Sequence, residues 1–479
     1  MPRPAPCPSS AYDTSGTSRS AMLSSRATRE KEHATLSVLA NRKRPSSFQI
    51  VILGFAGLIA LGTALLMLPI SSRSGICSSF GTALFTATSA TCVTGLIVRD
   101  TATHWSTFGQ IVILALIQTG GLGIIMAAAG FSLLSGRRIS LKERSMMRDV
   151  FATRRVGGIV RLATFVFAVT FAVELLGAIL MVPSMFERYG LRGIWIAVFL
   201  SISAFCNAGF DILGTHDTLF PSLSAFAINP VICLTICSLI IIGGIGFATW
   251  SDISTHRQHF RRYSLQSKII LVSSLFLVTL PTLFFFLFEY PHLPMTERLL
   301  ASLFQSITPR TAGFNVEDMS VMTEPGQALT LILMLIGGSP GSTAGGIRNT
   351  TLVVLLANFM AIASRRSEAD IFGRRIEDDI IKQAGAILTM YVALSLLGAT
   401  ALCLVEGLPY LACLFECVSA IGTVGMTVGI TPQLHVASRI ILIAYMFIGR
   451  VGGLTLIYAA IENPKRNPAK LPRENVAVG

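Results

Sequence analysis

Eight stretches of the chain are apolar over the length a membrane crossing needs, about 20 helical residues for a hydrocarbon core of about 30 Å. In order they are Phe48–Ile70, Phe108–Leu134, Ile159–Pro183, Phe226–Trp250, Ile269–Glu289, Ala328–Met360, Ile380–Val405 and Arg439–Ile461. Inside each successive pair lies a shorter segment with room for about three helical turns: Ser79–Ala90, Ile194–Phe205, Arg298–Ile307 and Leu411–Ile421. Each short segment runs into a glycine tetrad: Val93-Thr94-Gly95-Leu96, Asn207-Ala208-Gly209-Phe210, Thr311-Ala312-Gly313-Phe314 and Thr423-Val424-Gly425-Met426. The tetrad glycines stand 114, 104 and 112 residues apart. A spacing that regular marks a repeated structural unit. The pattern predicts an all-α polytopic membrane protein in which span, re-entrant helix, tetrad and span follow one another four times. The repeats occupy residues 48–134, 157–250, 267–360 and 380–462, with a polar tail over 1–47 and a C-terminal stretch over 463–479.

The tetrads carry the candidate chemistry. Backbone carbonyls that all point toward one axis require conformations that glycine adopts without a Cβ penalty. Four such segments meeting on an axis make rings of oxygens able to replace an ion's hydration shell, as four TVGYG loops do in K⁺ channels. Thr423-Val424-Gly425 comes close to that tripeptide, and the other three copies are degenerate forms of it. Candidate ion ligands are therefore the carbonyls of Val93, Thr94, Gly95, Asn207, Ala208, Gly209, Thr311, Ala312, Gly313, Thr423, Val424 and Gly425, with K⁺ as the bound metal and substrate.

The sixth apolar run is interrupted by Gly337-Gly338-Ser339-Pro340-Gly341-Ser342-Thr343-Ala344-Gly345-Gly346. Glycine costs about 1 and proline about 3 kcal/mol in a helix interior. Irregular backbone at membrane depth is tolerated only where it is buried in protein or lines a watery cavity. Placed after the third tetrad, the loop is expected below the filter as a movable obstruction. Arg450 stands inside the last apolar run with no acidic residue within four positions. Its guanidinium is expected to donate to carbonyls of the loop or to form a positive barrier, with snorkelling to the interface as the alternative. Arg348, just past the loop, is expected to snorkel. Gly120-Gly121, Gly243-Gly244, Gly337-Gly338 and Gly449-Arg450 recur after the tetrads, and the first two pairs suit close helix packing. Glu416 and Asp211 are candidates either to draw cations to the pore mouth or to pin the filter backbone.

Composition changes the picture little. Of 479 residues 52% are hydrophobic and 13% charged, against roughly 25% charged in soluble domains. The net charge of +13 comes from loop residues, since 29 of the 38 Lys and Arg fall in the tail, the loops between repeats and the C-terminus. That bias puts both termini in the cytoplasm of a plasma-membrane protein and removes the case for nucleic acid. Nine scattered cysteines form no C-x-x-C pair, so neither zinc nor a disulfide framework is indicated. No phosphate-binding G-x-x-x-x-G-K-[ST] occurs, so no cofactor is intrinsic and nucleotide control would have to come from a partner.

With these residues the chain resembles the ion-translocating subunits of the Ktr/Trk/HKT superfamily of K⁺ transporters, over roughly residues 48–462. The resemblance rests on Ser89-Ala90-Thr91-Cys92-Val93-Thr94-Gly95-Leu96, Asn207-Ala208-Gly209-Phe210-Asp211, Arg310-Thr311-Ala312-Gly313-Phe314-Asn315, Gly422-Thr423-Val424-Gly425-Met426, the interrupted sixth run and Ile448-Gly449-Arg450-Val451-Gly452. The lack of apolar runs before Phe48 favours the KtrB branch. It implies K⁺-channel-like pseudo-four-fold symmetry within one chain, a homodimer in the lipid bilayer, and a cytosolic ring of nucleotide-binding RCK (KtrA-like) subunits that controls the loop. It also implies K⁺ selectivity, because all four tetrad glycines are present, and it brings Na⁺ as a coupling or activating ion. No residue set here marks a Na⁺ site. Met426 and Thr427 stand where the family often has Leu-Ser. The expected function is gated K⁺ uptake; a Na⁺ or mixed Na⁺/K⁺ transporter on the same scaffold is the second reading. An intramembrane enzyme is the remote one, because no His-Glu-x-x-His or in-span histidine occurs.

Overall fold

The computed structural model describes residues 47–134, 144, 147 and 158–453. The expected tail before Ser47, most of the first linker and the C-terminal stretch lie outside the described residues. Repeat 1 consists of α1 (Ser47–Met67), α2 (Phe80–Cys92), α3 (Thr107–Leu122) and α4 (Ile124–Leu134). Repeat 2 follows as α5 (Ile159–Tyr189), α6 (Leu191–Phe205), α7 (Pro230–Ile245) and α8 (Phe247–His256). Repeat 3 has α9 (Leu265–Phe284), α10 (Met295–Ile307), α11 (Glu324–Leu335) and α12 (Asn349–Ala363). A hairpin of β1 (Asp370–Ile371) and β2 (Arg374–Arg375) leads into repeat 4, with α13 (Asp378–Glu406), α14 (Tyr410–Gly422) and α15 (Val436–Val451).

The opening helix of each repeat is long and apolar enough to cross a membrane; α9 does so with a π-helical extension over Phe285–Glu289. Its two faces are chemically distinct. On α5, Phe171, Leu175 and Ile179 are more than half exposed, whereas Ala163, Val166, Thr170, Glu174 and Met181 are buried. An apolar face left outward suits lipid rather than water. The short helices α2, α6, α10 and α14 form the centre. They supply Phe85, Phe199, Phe205, Phe304 and Phe415, all among the largest fully buried side chains.

The second, fourth and sixth apolar runs are not continuous spans, and the eighth is described only as far as residue 453. α3 and α4 meet at 103° about Gly123, and α7 and α8 meet at 94° about Gly246. α15 stops before Gly452, which has φ 89° and ψ 123°, close to the φ 86° and ψ 144° of Gly123 and the φ 98° and ψ 139° of Gly246. These positive φ values strain any residue with a Cβ; at Gly123 and Gly246 they turn the chain, and Gly452 repeats the conformation where the described part of repeat 4 ends. In repeat 3 the helix ends at Leu335 and the glycine-rich loop takes the place of the turn. The paired glycines upstream are packing positions: a Cβ on Gly120, Gly243 or Gly449 would strike the carbonyl oxygen of Thr91, Phe205 or Ile421, at the end of its own repeat's short helix.

Candidate functional site: a four-segment carbonyl ring above a buried loop

The short helices α2 and α14 end immediately before their tetrads, α6 ends one residue earlier and α10 three residues earlier, and none carries a basic residue in its last turn. Four helix C-termini, each with a partial negative charge, thus converge on the tetrads with no basic residue in the last turn to offset them. Within every tetrad the first and third residues are left-handed. The φ values are 56° and 96° at Val93 and Gly95, 59° and 68° at Asn207 and Gly209, 73° and 77° at Thr311 and Gly313, and 52° and 91° at Thr423 and Gly425. Left-handed backbone costs a residue with a Cβ roughly 1–2 kcal/mol. Four such residues at equivalent positions mark a site whose geometry is held for use. Alternating the hand of successive residues turns successive carbonyls to the same side.

The ring closes through its glycines. A Cβ on Gly95 would lie 2.6 Å from the Ala208 oxygen, and one on Gly209 2.7 Å from the Ala312 oxygen. A Cβ on Gly313 would strike the Val424 oxygen, and one on Gly425 the Thr94 oxygen. Each repeat therefore abuts the next, and the fourth returns to the first. The eight non-glycine residues before the four glycines are all buried. Four buried side-chain oxygens in the ring, on Thr94, Asn207, Thr311 and Thr423, make no protein hydrogen bond. An arc of carbonyls with spare buried oxygens suits a desolvated monovalent cation.

Local hydrogen bonds fix this shape. The Thr94 N–H donates to the Ser89 carbonyl at 2.8 Å and the Gly95 N–H to the Ser89 hydroxyl at 3.1 Å. The same two bonds, with the same lengths, join Val424 and Gly425 to Ser419. Ser203 stands at the same place in repeat 2, six residues before the glycine. Its carbonyl accepts from the Ala208 N–H at 2.8 Å, but its hydroxyl has no partner, so Ser89 and Ser419 are the positioning serines that sequence reasoning passed over. Glu416, from within α14, accepts hydrogen bonds from the Thr427 and Thr431 hydroxyls, the latter at 2.8 Å, so it pins the strand leaving the fourth tetrad. Glu416→Ala removes the shared acceptor of the two hydroxyls and leaves them only each other, at 3.0 Å, a loss of about 1–3 kcal/mol for a buried group. The expected outcome is a lower melting temperature of the purified protein, read by tryptophan fluorescence, with K⁺ no longer protecting as well as in the parent. Asp211 accepts from the Leu213 N–H at 3.0 Å. Burial pushes its carboxyl up to about 7 despite that bond, with Asp100 adding to the rise, so its pull on cations is weak below neutral pH.

The loop 337–346 lies on the side of the ring toward which the short helices point, and all of it except Pro340 and Gly341 is buried. Its backbone is tied at both ends. Gly337 N–H donates to the Ile347 carbonyl at 2.8 Å, and Asn349 N–H to the Gly338 carbonyl at 3.1 Å. In the middle it satisfies the broken helix α7: Ser339 N–H donates to Gly244 and Thr343 N–H to Gly243, at 3.0 and 3.3 Å. The Thr343 hydroxyl donates to the Phe205 carbonyl at 3.1 Å and accepts from the Asn207 amide at 3.2 Å, directly under the second tetrad. On the opposite flank, Gly345 packs on the Thr423 side chain and Gly346, with φ 67°, on the Gly422 carbonyl. Ala344 completes the contact with its carbonyl, which accepts from Arg348 at 2.6 Å. Arg348 thus folds back onto the loop, also reaching the Ser339 carbonyl at 3.3 Å, and does not snorkel. A side chain with two carbonyl acceptors at hand has no reason to extend toward the interface.

Arg450 is buried and does not snorkel either. It donates to the Thr343 carbonyl of the loop and to the Gly120 and Gly121 carbonyls of α3, the last at 2.9 Å. Those two carbonyls are orphans of a helix that stops at Gly123, and a cation is the favourable partner there. One guanidinium therefore joins repeat 4, the repeat 3 loop and the broken helix of repeat 1. A further residue escaped the sequence reading. Glu174, inside α5, accepts from the Gln118 amide at 3.0 Å, and Gln118 accepts from the Cys206 thiol at 3.4 Å beside the second tetrad. Its position within a span was the available signal.

Residues 19–469 match the family model described as TrkH, cation transport protein. The chain belongs to that family. It is 39% identical to the Ktr system potassium uptake protein B of Bacillus subtilis, over 88% of this chain and 94% of that one. It is 36% identical to the potassium/sodium uptake protein NtpJ of Enterococcus hirae, over 91% of this chain and 98% of the relative. The solved potassium transporter TrkH of Vibrio parahaemolyticus superposes with a TM-score of 0.69 at 18% identity, covering 88% of this chain and 86% of that one. That likeness carries the four-repeat pseudo-symmetric fold. As a member of this family the chain is an integral membrane protein and a transporter.

Proposed function

We propose that this chain takes up K⁺ across the plasma membrane, with both termini in the cytoplasm. The observation that carries the reading is the closed cycle of glycine-to-carbonyl contacts among Gly95, Gly209, Gly313 and Gly425, a geometry that needs all four repeats at once. K⁺ sheds its water and is held by the carbonyls of Val93 to Gly95, Asn207 to Gly209, Thr311 to Gly313 and Thr423 to Gly425. Movement needs no ATP, because about 2.3 kcal/mol per charge per 100 mV of membrane potential drives cations inward. The loop 337–346 with Arg450 is the gate: it lies beneath tetrads two and four and has to leave for the ion to pass. Opening is governed by a cytosolic RCK ring bound to a homodimer, a reading supported by relatives named as parts of a Ktr system. A mixed K⁺/Na⁺ pathway, or one stimulated by Na⁺, is the second reading, favoured by the relative named for both ions.

The test is uptake of Rb⁺ and Na⁺ in a bacterium that lacks its own K⁺ uptake, with and without a cognate RCK subunit. Rb⁺ uptake that rises with the partner and exceeds Na⁺ uptake supports the first reading. Equal uptake of the two ions supports the second, and no uptake of either under both conditions overturns both.

A further inference from the structure

A cavity of about 480 Å³ opens beside the first tetrad, on the face opposite the gate loop, and its lining is basic. Arg99, His104, His216 and Arg439 face it. So does the N-terminus of α2 at Ser79 and Thr82, the positive end of a helix dipole. Among the described residues neither Arg99 nor Arg439 forms an ion pair. The Arg439 Nε is buried without a hydrogen-bond partner, and the guanidinium donates from Nη2 to the Pro432 carbonyl at 3.1 Å. Asp100 is the single carboxylate in the lining, and it is already saturated. One oxygen accepts from the N–H groups of Ala102 and Thr103 and from the Thr103 hydroxyl, at 2.9–3.0 Å, and the other from the Phe220 N–H at 3.1 Å. Burial and the neighbouring Arg99 guanidinium hold the His104 imidazole below its usual range.

Two unpaired guanidiniums beside the mouth of a cation pathway repel its substrate unless something neutralises them. A planar fork of donors matches the oxygens of a phosphate. The cavity also borders lipid-facing surface: Phe80, next to Ser79, is 61% exposed, and Val436 and Ile440, flanking Arg439 on the apolar helix α15, are 70% and 58% exposed. We propose that this cavity binds a phosphate-type oxyanion between Arg99, Arg439 and the α2 N-terminus, presented in the membrane by the headgroup of an anionic phospholipid. The site is independent of the ion ring, and its occupation cancels the positive field near the first tetrad.

The test uses the full chain purified in detergent, with native mass spectrometry of retained lipid and thermal melting as readouts. Phosphatidylglycerol, phosphatidylcholine and inorganic phosphate are each titrated against the parent, the Arg99→Gln/Arg439→Gln pair and the Arg99→Lys/Arg439→Lys pair. Phosphatidylglycerol is expected to be retained over phosphatidylcholine and to raise the melting midpoint. Its binding is expected to fall about tenfold per guanidinium removed, the value of one hydrogen bond to a charged group, and to recover in part in the Lys pair. If inorganic phosphate reproduces the shift and phosphatidylglycerol does no better than phosphatidylcholine, the oxyanion site stands and its occupant comes from solution. Equal retention of both lipids with no effect of phosphate overturns the proposal. So does a Gln pair that binds phosphatidylglycerol as the parent does.

Discussion

Gly313→Ser is expected to remove most of the preference for Rb⁺ over Na⁺ while leaving the protein in the membrane. Gly313 has φ 77°, and a Cβ there would strike the carbonyl oxygen of Val424 and press on the Cα of Gly425 at 3.3 Å. The obstructing atoms are backbone, so no rotamer change relieves the overlap. The left-handed conformation adds roughly 1–2 kcal/mol of strain for any residue with a Cβ. Relief comes only by parting the third and fourth segments, which widens the ring and spoils its fit to one ion size. A change of about 1.4 kcal/mol in the difference between two ions is tenfold in discrimination, and a loss of at least that size is the expected result in paired Rb⁺ and Na⁺ uptake assays. Gly81→Ser is the control. It lies in α2, the short helix of repeat 1, where an added Cβ meets nothing within 4 Å, and it is expected to discriminate as the parent does. A Gly313→Ser protein with unchanged selectivity would mean that the glycines serve packing alone.

Arg450→Ala is expected to raise Rb⁺ uptake in the absence of any regulatory subunit. The substitution removes the donors that hold the Thr343 carbonyl of the loop against the Gly120 and Gly121 carbonyls of α3. Hydrogen bonds to a charged group are worth about 1.5–3 kcal/mol each. Part of that is offset when water reaches the freed carbonyls, so a tenfold shift toward the open loop, about 1.4 kcal/mol, is a conservative expectation. Arg450→Lys separates a tether from a simple barrier. It keeps the charge but not the fork that reaches two repeats at once, so a tether predicts partial release and a barrier predicts none. Uptake that stays at background in Arg450→Ala, in a protein that melts like the parent, would remove Arg450 from the gate.

The ring was legible before the fold because glycine leaves a fingerprint where backbone must be left-handed or closely approached, and four copies at one period cannot be coincidence. The breaks in the inner helices were not. Gly123, Gly246 and Gly452 each stand three residues after the glycine that packs on the short helix. Even so, a glycine in an apolar run permits a straight helix as readily as a right-angled turn, and the turn is decided by which carbonyls find partners across repeats. The same reason hid the behaviour of Glu174, whereas Arg348 finds its acceptors only four and nine residues back, in a loop whose irregular backbone turns them toward it. The acceptors of Arg450 lie 107, 329 and 330 residues away in sequence, and the partner of Glu174 lies 56 away. The sequence placed the loop carbonyls among the acceptors of Arg450, as the Thr343 bond shows, but not the Gly120 and Gly121 carbonyls of repeat 1. The handedness of Val93, Thr311 and Thr423 was equally invisible, since β-branched side chains give no hint of left-handed backbone; only Asn207 is of a type that visits it.

Rb⁺ is a K⁺ substitute that can be seen directly by its anomalous scattering. Crystals of the protein grown in Rb⁺ are expected to show anomalous density on the axis of the ring, between the carbonyls that surround Gly95, Gly209, Gly313 and Gly425, and to lose it when Rb⁺ is exchanged for Na⁺. Density that appears elsewhere with the ring empty, from protein that still takes up Rb⁺ in cells, would contradict the assignment of these four segments as the selectivity filter.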